Sequence, residues 1–310
     1  MSQKKLRMNM QILGGVLVVD NRERILSAMG NITETVADFA IQAQFTDLPE
    51  KVIHEVKRVV LDSVGNAIYG LSAEKGMIAA KLATKLGGPP ESTIIGTKDR
   101  VSSANAAFAN GELINALDFD ATSPGGHDVP GLIGGALAIA ESCGVSGKDL
   151  ILAIALSFEI SARLKIKIAS IVNEGPDKGK MQFPPVFGQS TYALAAAVGA
   201  GKILNLNQQK MANAIGIAGC LCPPNIARKS QETVPFRMTK YGVAGAVSQT
   251  GIMSALLAEM GYTGDTDLFD GEYGFWRYTG LEPRGEEMLS DLGVEWCSHK
   301  IDYKQYPSGH

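Results

Sequence analysis

Five stretches of the chain, residues 131–142, 148–170, 189–204, 208–219 and 243–260, are built from Ala, Gly, Ile and Leu with few charges. Each has helical length, and none keeps a broad polar face for water. Each therefore predicts a helix buried on several sides. A chain carrying five such segments has to pack them against one another. Small residues suit that purpose. Glycines number 35 and aromatic residues make up only 6%, whereas a β-sandwich would draw on more aromatic and β-branched side chains. The fold class is mainly α.

The remaining helices carry a clearer apolar stripe. Thr33 is placed to cap one whose Val36, Phe39, Ala40 and Ala43 recur at helical spacing. Asp47-Leu48-Pro49 opens a longer one, with Val52, Val56, Val59, Val60, Val64 and Ile68 on one face and Gly70 at its end. Met77–Leu86 is stopped by Gly87-Gly88-Pro89-Pro90, and Ser103–Leu117 is Ala-rich. Ser92–Gly96 is a short β-branched piece. After Gly261 the chain turns charged, aromatic and turn-rich, and Trp296–Tyr303 reads as a strand. The division is an N-terminal extension over 1–30, a helical domain over 31–262 and the start of a second unit over 263–310. Residues 1–30 begin basic and turn apolar at Ile12–Val19, but Asp20, Arg22, Glu23 and Arg24 follow at once. Without a small-residue cleavage site this is an extension, not a signal peptide.

Composition excludes several function classes. Lys and Arg total 29 against 32 Asp and Glu, a net charge of −3. That leaves no basic excess to hold a phosphate backbone, so nucleic acid is not an expected partner. No run of about 18 uncharged apolar residues offers a membrane span. Cys143, Cys220, Cys222 and Cys297 show neither metal spacing nor a disulfide framework, and read as free thiols of a cytoplasmic protein. Phosphate loops, dinucleotide fingerprints, zincin helices and nucleophile elbows are all missing from the sequence. No metal and no organic cofactor is expected.

What remains is residues 118–130, DFDATSPGGHDVP, the densest ionisable cluster beside apolar helices. Its glycines let backbone pass close to a small molecule. A carboxylate near a histidine sets the tautomer and acidity of the ring, which suits proton abstraction near neutral pH. The plainer reading is a solvated turn in which Asp118 caps a helix. His54, on an amphipathic helix beside Glu55, reads as a surface residue, and His299 likewise carries no chemistry.

Four elements, in order along the chain, resemble the MmgE/PrpD family. They are residues 31–70 (NITETVADFAIQAQFTDLPEKVIHEVKRVVLDSVGNAIYG), residues 107–122 (AFANGELINALDFDAT), Lys202-Ile203-Leu204-Asn205-Leu206 after an alanine run, and Lys304-Gln305-Tyr306-Pro307-Ser308. The resemblance implies a large all-helical domain, a smaller α+β lid of which residues 263–310 are only the start, an active site between them, and a homodimer. It implies a lyase or isomerase of small di- and tricarboxylates that uses no metal or organic cofactor. Dehydration of 2-methylcitrate, decarboxylation of cis-aconitate and epimerisation of iminodisuccinate are activities of the family. In the family the lid continues past the Lys-x-Tyr-Pro element, so these 310 residues alone are expected to turn over weakly or not at all.

Carried over by position, Asp118 and Thr122 match the family's active-site loop, and His127 matches the histidine that follows, with one residue fewer between. Lys202 matches the lysine after the alanine-rich helix, and Lys304 and Tyr306 match the lid element. The resemblance assigns Asp118, His127 and Lys202 to catalysis and Thr122, Lys304 and Tyr306 to substrate binding. Read from its own residues, Lys202 is a solvated lysine at a helix end. Four departures stand out. Asn115 replaces a common His, and Ala121 an Asp. Gln182 or Phe183 takes the place of a histidine. Lys165 or Ile166 occupies a position usually basic or His. The alternative they support is a catalytically silent homologue acting as a helical dimerisation or binding module.

Overall fold

The structure is a computed structural model. It describes residues 12–13, 16–17, 32–174, 190–222, 233–240, 242–269, 273–275, 288–289 and 291–308, with backbone alone at 12–13, 16–17 and 165–174. Among these are nine helices: α1 (Ile32–Gln42), α2 (Glu50–Gly70), α3 (Glu74–Leu86), α4 (Ser103–Asn115), α5 (Val129–Cys143), α6 (Gly147–Glu174), α7 (Ser190–Ile203), α8 (Gln208–Leu221) and α9 (Ala244–Glu259). The strands are two-residue pieces. β1 (Ile12–Leu13) pairs antiparallel with β2 (Val16–Leu17), and β3 (Ser92–Thr93) with β4 (Arg100–Val101). The mainly helical expectation holds. Among the described residues no helix is long and apolar enough to cross a membrane, and no group of three or more His, Cys, Asp and Glu could hold a metal ion.

Local chemistry explains the helix ends. Asn207 caps α8 by accepting the Lys210 amide at 3.0 Å. Pro130 lies in the first turn of α5, and Gly144 ends that helix in the left-handed region at φ 61°. Thr33, expected as a cap, lies inside the first turn of α1 and is fully buried. His54 is exposed on α2, and Cys143 and Cys220 are exposed free thiols.

The centre of the body is α4, α5, α7 and α9, each in contact with at least two of the others. Leu113 and Ile114 of α4 and Leu132 and Ile133 of α5 are fully buried. Glycine decides how near the helices come. A Cβ at Gly134 would lie 2.6 Å from the Gly111 nitrogen, and one at Gly245 would strike the Phe108 carbonyl. The backbones of α4, α5 and α9 are therefore nearer than any side chain at these points would permit.

Residues 288–289 and 291–308 lie on this body. Arg163 of α6 pairs with Glu159 at 2.8 Å and donates to the carbonyls of Met288, Asp291 and Glu295 and to Asp291 Oδ1 at 2.6 Å. Glu159, fully buried, accepts the amides of Cys297 and Ser298 at 2.6 and 3.1 Å. Burial pushes its carboxyl up, opposed by Arg163 and the two amides. Trp296 is buried with its ring centroid 5.8 Å from that of Phe39. The strand expected over Trp296–Tyr303 is not formed. Lys300 turns back to the Cys297 carbonyl, and the single bridge there pairs Asp302 with Thr122. The apolar side chains in this stretch pack down on helices, so the backbone follows the side-chain and amide contacts of the body, not a neighbouring strand.

Candidate active site

The loop between α4 and α5 is held from four sides. Asp62 of α2 accepts the Ala121 amide. Thr122 exchanges both backbone hydrogen bonds with Asp302, at 2.9 and 2.8 Å. The Ser308 amide donates to the Asp118 carbonyl at 3.1 Å. At its far end Asp128, fully buried, accepts the hydroxyls of Ser123 and Ser161 at 2.7 and 2.5 Å. Gly126 turns at φ 101°, and a Cβ at Gly125 would strike Asp128 and Ser161.

Asp118 is the centre of charge. It has left-handed backbone at φ 53°, uncommon for a residue with a Cβ. That conformation turns its carboxylate between two ammonium groups from distant segments. Lys304 Nζ donates to Asp118 Oδ1 at 2.7 Å and to its carbonyl at 2.9 Å, and Lys240 Nζ donates to Oδ2 at 2.6 Å. The Lys304 side chain is only 1% exposed, against 22% for Lys240 and 23% for Asp118. A lysine so deeply buried is stable only in company, and Asp118 supplies it.

Two residues on, Asp120 is fully buried. Its Oδ1 accepts Asn115 Nδ2 at 3.1 Å, and its Oδ2 has no hydrogen-bond partner among the described residues. Burial, helped by the Asp118 charge, pushes its carboxyl up to about 6, against the pull of Lys304 and Asn115. Asn115 accepts Lys75 Nζ on its Oδ1 at 2.5 Å, and Lys75 also pairs with Glu112 at 3.3 Å.

Of the residues named from sequence, the structure brings Asp118 and Lys304 into contact and docks Thr122 beside them through Asp302. His127 stands on the other limb of the loop, half-buried, with its backbone bonded to the Tyr192 hydroxyl of α7. Lys202 of α7 makes none of these contacts. Its ammonium donates to the carbonyls of Ile41 and Ala43 at 2.9 and 2.8 Å. These carbonyls lie at the C-terminus of α1, where the helix leaves acceptors unmet. Burial lowers the Lys202 pKa, opposed by Asp149 and Asp47. Tyr306 is 68% exposed, between Lys304 and Ser308, which both bond Asp118. Lys240, Asp120 and Lys75 went unnamed. No motif marks Lys240, which follows Arg237 by three residues and precedes a helix whose one charge is the terminal Glu259. Asp120 sat within the acidic motif and was legible as its second carboxylate. Gln182 and Phe183 fall outside the described residues, and the side chains of Lys165 and Ile166 are likewise not described.

An all-helical body with a carboxylate clasped by two distant lysines at one interhelical loop is a scaffold built around a charged cluster. Residues 34–284 match the MmgE/PrpD N-terminal domain, and the chain belongs to the MmgE/PrpD family. It is similar to the cis-aconitate decarboxylase of Homo sapiens, 29% identical over 285 residues, which cover 90% of this chain and 56% of that protein. The cis-aconitate decarboxylase of Mus musculus is 29% identical over 288 residues, with the same coverage. That of Aspergillus terreus is 25% identical over 296 residues, 90% of this chain and 58% of that protein. The chain thus spans little more than half the length of these curated relatives.

Proposed function

We propose that the chain is the helical body of a lyase or isomerase acting on a small di- or tricarboxylate, with no metal or organic cofactor. The observation that carries the reading is the Asp118 carboxylate held between Lys240 and Lys304. Two ammonium groups that grip one carboxylate have the charge and spacing to grip a substrate's carboxylate in its place. The names of the relatives favour decarboxylation of cis-aconitate over dehydration or epimerisation.

In this reading the substrate's carboxylates take over Lys240 and Lys304 and release Asp118. All three reactions start at an acidic C–H or at the carboxylate beside it, and negative charge grows on the substrate as that bond breaks. The two ammonium groups lie where they can steady it. His127 moves the proton, Asp118 receives or orients it, and Thr122 holds the substrate by hydrogen bonding. Neither Lys202 nor Tyr306 is given a role. Homodimerisation belongs to the same reading.

The second reading is a catalytically silent homologue serving as a dimerisation or binding body. Asn115 favours it. Where many members carry a histidine, this chain has an amide that cannot move a proton and is committed to Lys75 and Asp120. The experiment is a panel of di- and tricarboxylates followed by proton NMR of substrate and product in deuterated water and by release of carbon dioxide. Turnover abolished by Asp118→Asn supports the enzyme. Binding without turnover across the panel supports the silent homologue.

A further inference from the structure

Asp120 is the unexplained group of the cluster. A carboxylate with no exposed surface and one oxygen without a partner is costly to ionise, yet it stands beside the pair on which substrate binding is proposed to depend. Its surroundings are mixed in charge. Asp118 is on its own loop, and Lys304 approaches from the segment after Asp302. Asp62 of α2 faces the loop at Ala121, and Lys240 lies across Asp118. Behind Asn115 are Lys75 of α3 and Glu112 of α4.

Asn115 links these two layers in a fixed sense. An ammonium group only donates, so Lys75 takes the amide oxygen and turns Nδ2 toward Asp120. Asn115 is thereby kept as a donor to Asp120 Oδ1, and a donor steadies the ionised form. The other oxygen, Oδ2, is left as the place for a proton.

We infer that Asp120 is a positioning residue that sets the charge of the anion site, and that Asn115, oriented by Lys75, sets where in pH it does so. This rests on the polycarboxylate reading above. With Asp120 protonated, Asp118, Lys240 and Lys304 carry one net positive charge, and a polyanion is drawn in. With Asp120 ionised, the four groups sum to zero and the attraction weakens. Asp120 does not touch the substrate; it acts through Lys304 and Asp118. Its burial pushes the carboxyl toward neutrality, which brings the change of state within reach of physiological pH.

The test measures the affinity of tricarballylate, a saturated tricarboxylate, by calorimetry from pH 5 to 8 for the wild-type chain and Asp120→Asn. The probe's own protonation cancels in the ratio of the two affinities. The ratio of wild-type to variant affinity is expected to be near one at pH 5 and to fall about tenfold by pH 8, the scale of one unit charge several ångström away in a half-exposed site. Asn115→Ala, which removes the donor, is expected to move the step to higher pH, a shift that a purely structural role would not give. If Asp120→Asn does not fold, the 13C titration of Asp-labelled wild type and Asn115→Ala reads the same group directly. A carboxyl midpoint near 6 that rises in the variant supports the inference, and no midpoint above 5 overturns it. A ratio constant with pH overturns the role of Asp120 alone. No binding to either protein at any pH overturns the polycarboxylate reading.

Discussion

Lys304 donates to both the side chain and the carbonyl of Asp118, 186 positions earlier in the chain, and does so with almost no exposed surface. The residues after Asp302 are thereby tied to the α4–α5 loop through one buried ammonium. Replacing Lys304 by Met keeps the stem and removes the charge. Turnover on the best carboxylate of the panel should fall by about 10²-fold or more, the scale of losing one charge-stabilising group. Steady-state kinetics would show the loss in kcat/KM, and an unchanged value would remove Lys304 from the mechanism.

Asp120 makes stability depend on pH in a direction that can be stated. Its carboxyl is raised in the fold to about 6 from 3.8. A raised acid costs stability once ionised. The cost is absent below about pH 4, grows between the two values and is complete above about pH 6. Asp120→Asn removes it. Urea denaturation should find the variant more stable than wild type by about 2–3 kcal/mol at pH 8, since each tenfold change in acidity is worth roughly 1.4 kcal/mol, with the gap closed at pH 4.

Arg163 holds Met288, Asp291 and Glu295 through four acceptors besides Glu159. Arg163→Met would leave Glu159 buried and without its cation. A loss of about 3–5 kcal/mol follows, as for a broken buried pair. Arg163→Met with Glu159→Gln should recover part of it. Chemical denaturation of the two variants compares them, and equal stabilities would mean the pair does not act as a unit.

Gly134 lies where α5 meets the backbone of α4. Gly134→Ala raises helix propensity yet should destabilise by about 2–3 kcal/mol, because backbone cannot yield as a flexible side chain can. At exposed Gly147, where an added Cβ meets nothing within 4 Å, the same change should not destabilise. Thermal melts of the two variants would separate them, and similar Tm values would contradict the close-packing account.

Ile78, Leu82 and Leu86 recur every fourth residue on α3 and are 50%, 41% and 58% exposed, with Ile68 and Tyr69 of α2 exposed as well. We expect this apolar stripe to be covered in a homodimer. Light scattering should give twice the chain mass, and Leu82→Glu should lower it. A wild-type monomer at micromolar concentration would refute the expectation.

All nine helices were readable along the chain because their signals are local. The 3.6-residue recurrence of Val52, Val56 and Val59, the stops at Gly70 and Gly87, and the missing polar face in α7 and α9 need no knowledge of neighbours. The loop bearing Asp118 and His127 was readable for the same reason, as a polar interruption between apolar helices. Trp296–Tyr303 has the look of a strand in sequence, yet its apolar residues report burial against helices, not pairing.

Sequence alone therefore determined the helices, their order and the acidic loop, since propensity and periodicity act within a few residues. Tertiary structure alone decided which lysine serves Asp118. Lys202 and Lys240 carry no distinguishing motif as sequence, each being a lysine at the end of or just before an apolar helix. The fold brings Lys202 under the unmet carbonyls of Ile41 and Ala43 and carries Lys240 and Lys304 to the Asp118 carboxylate. An ammonium group settles on whichever oxygens packing leaves within about 3 Å, and that choice is made by residues more than a hundred positions away.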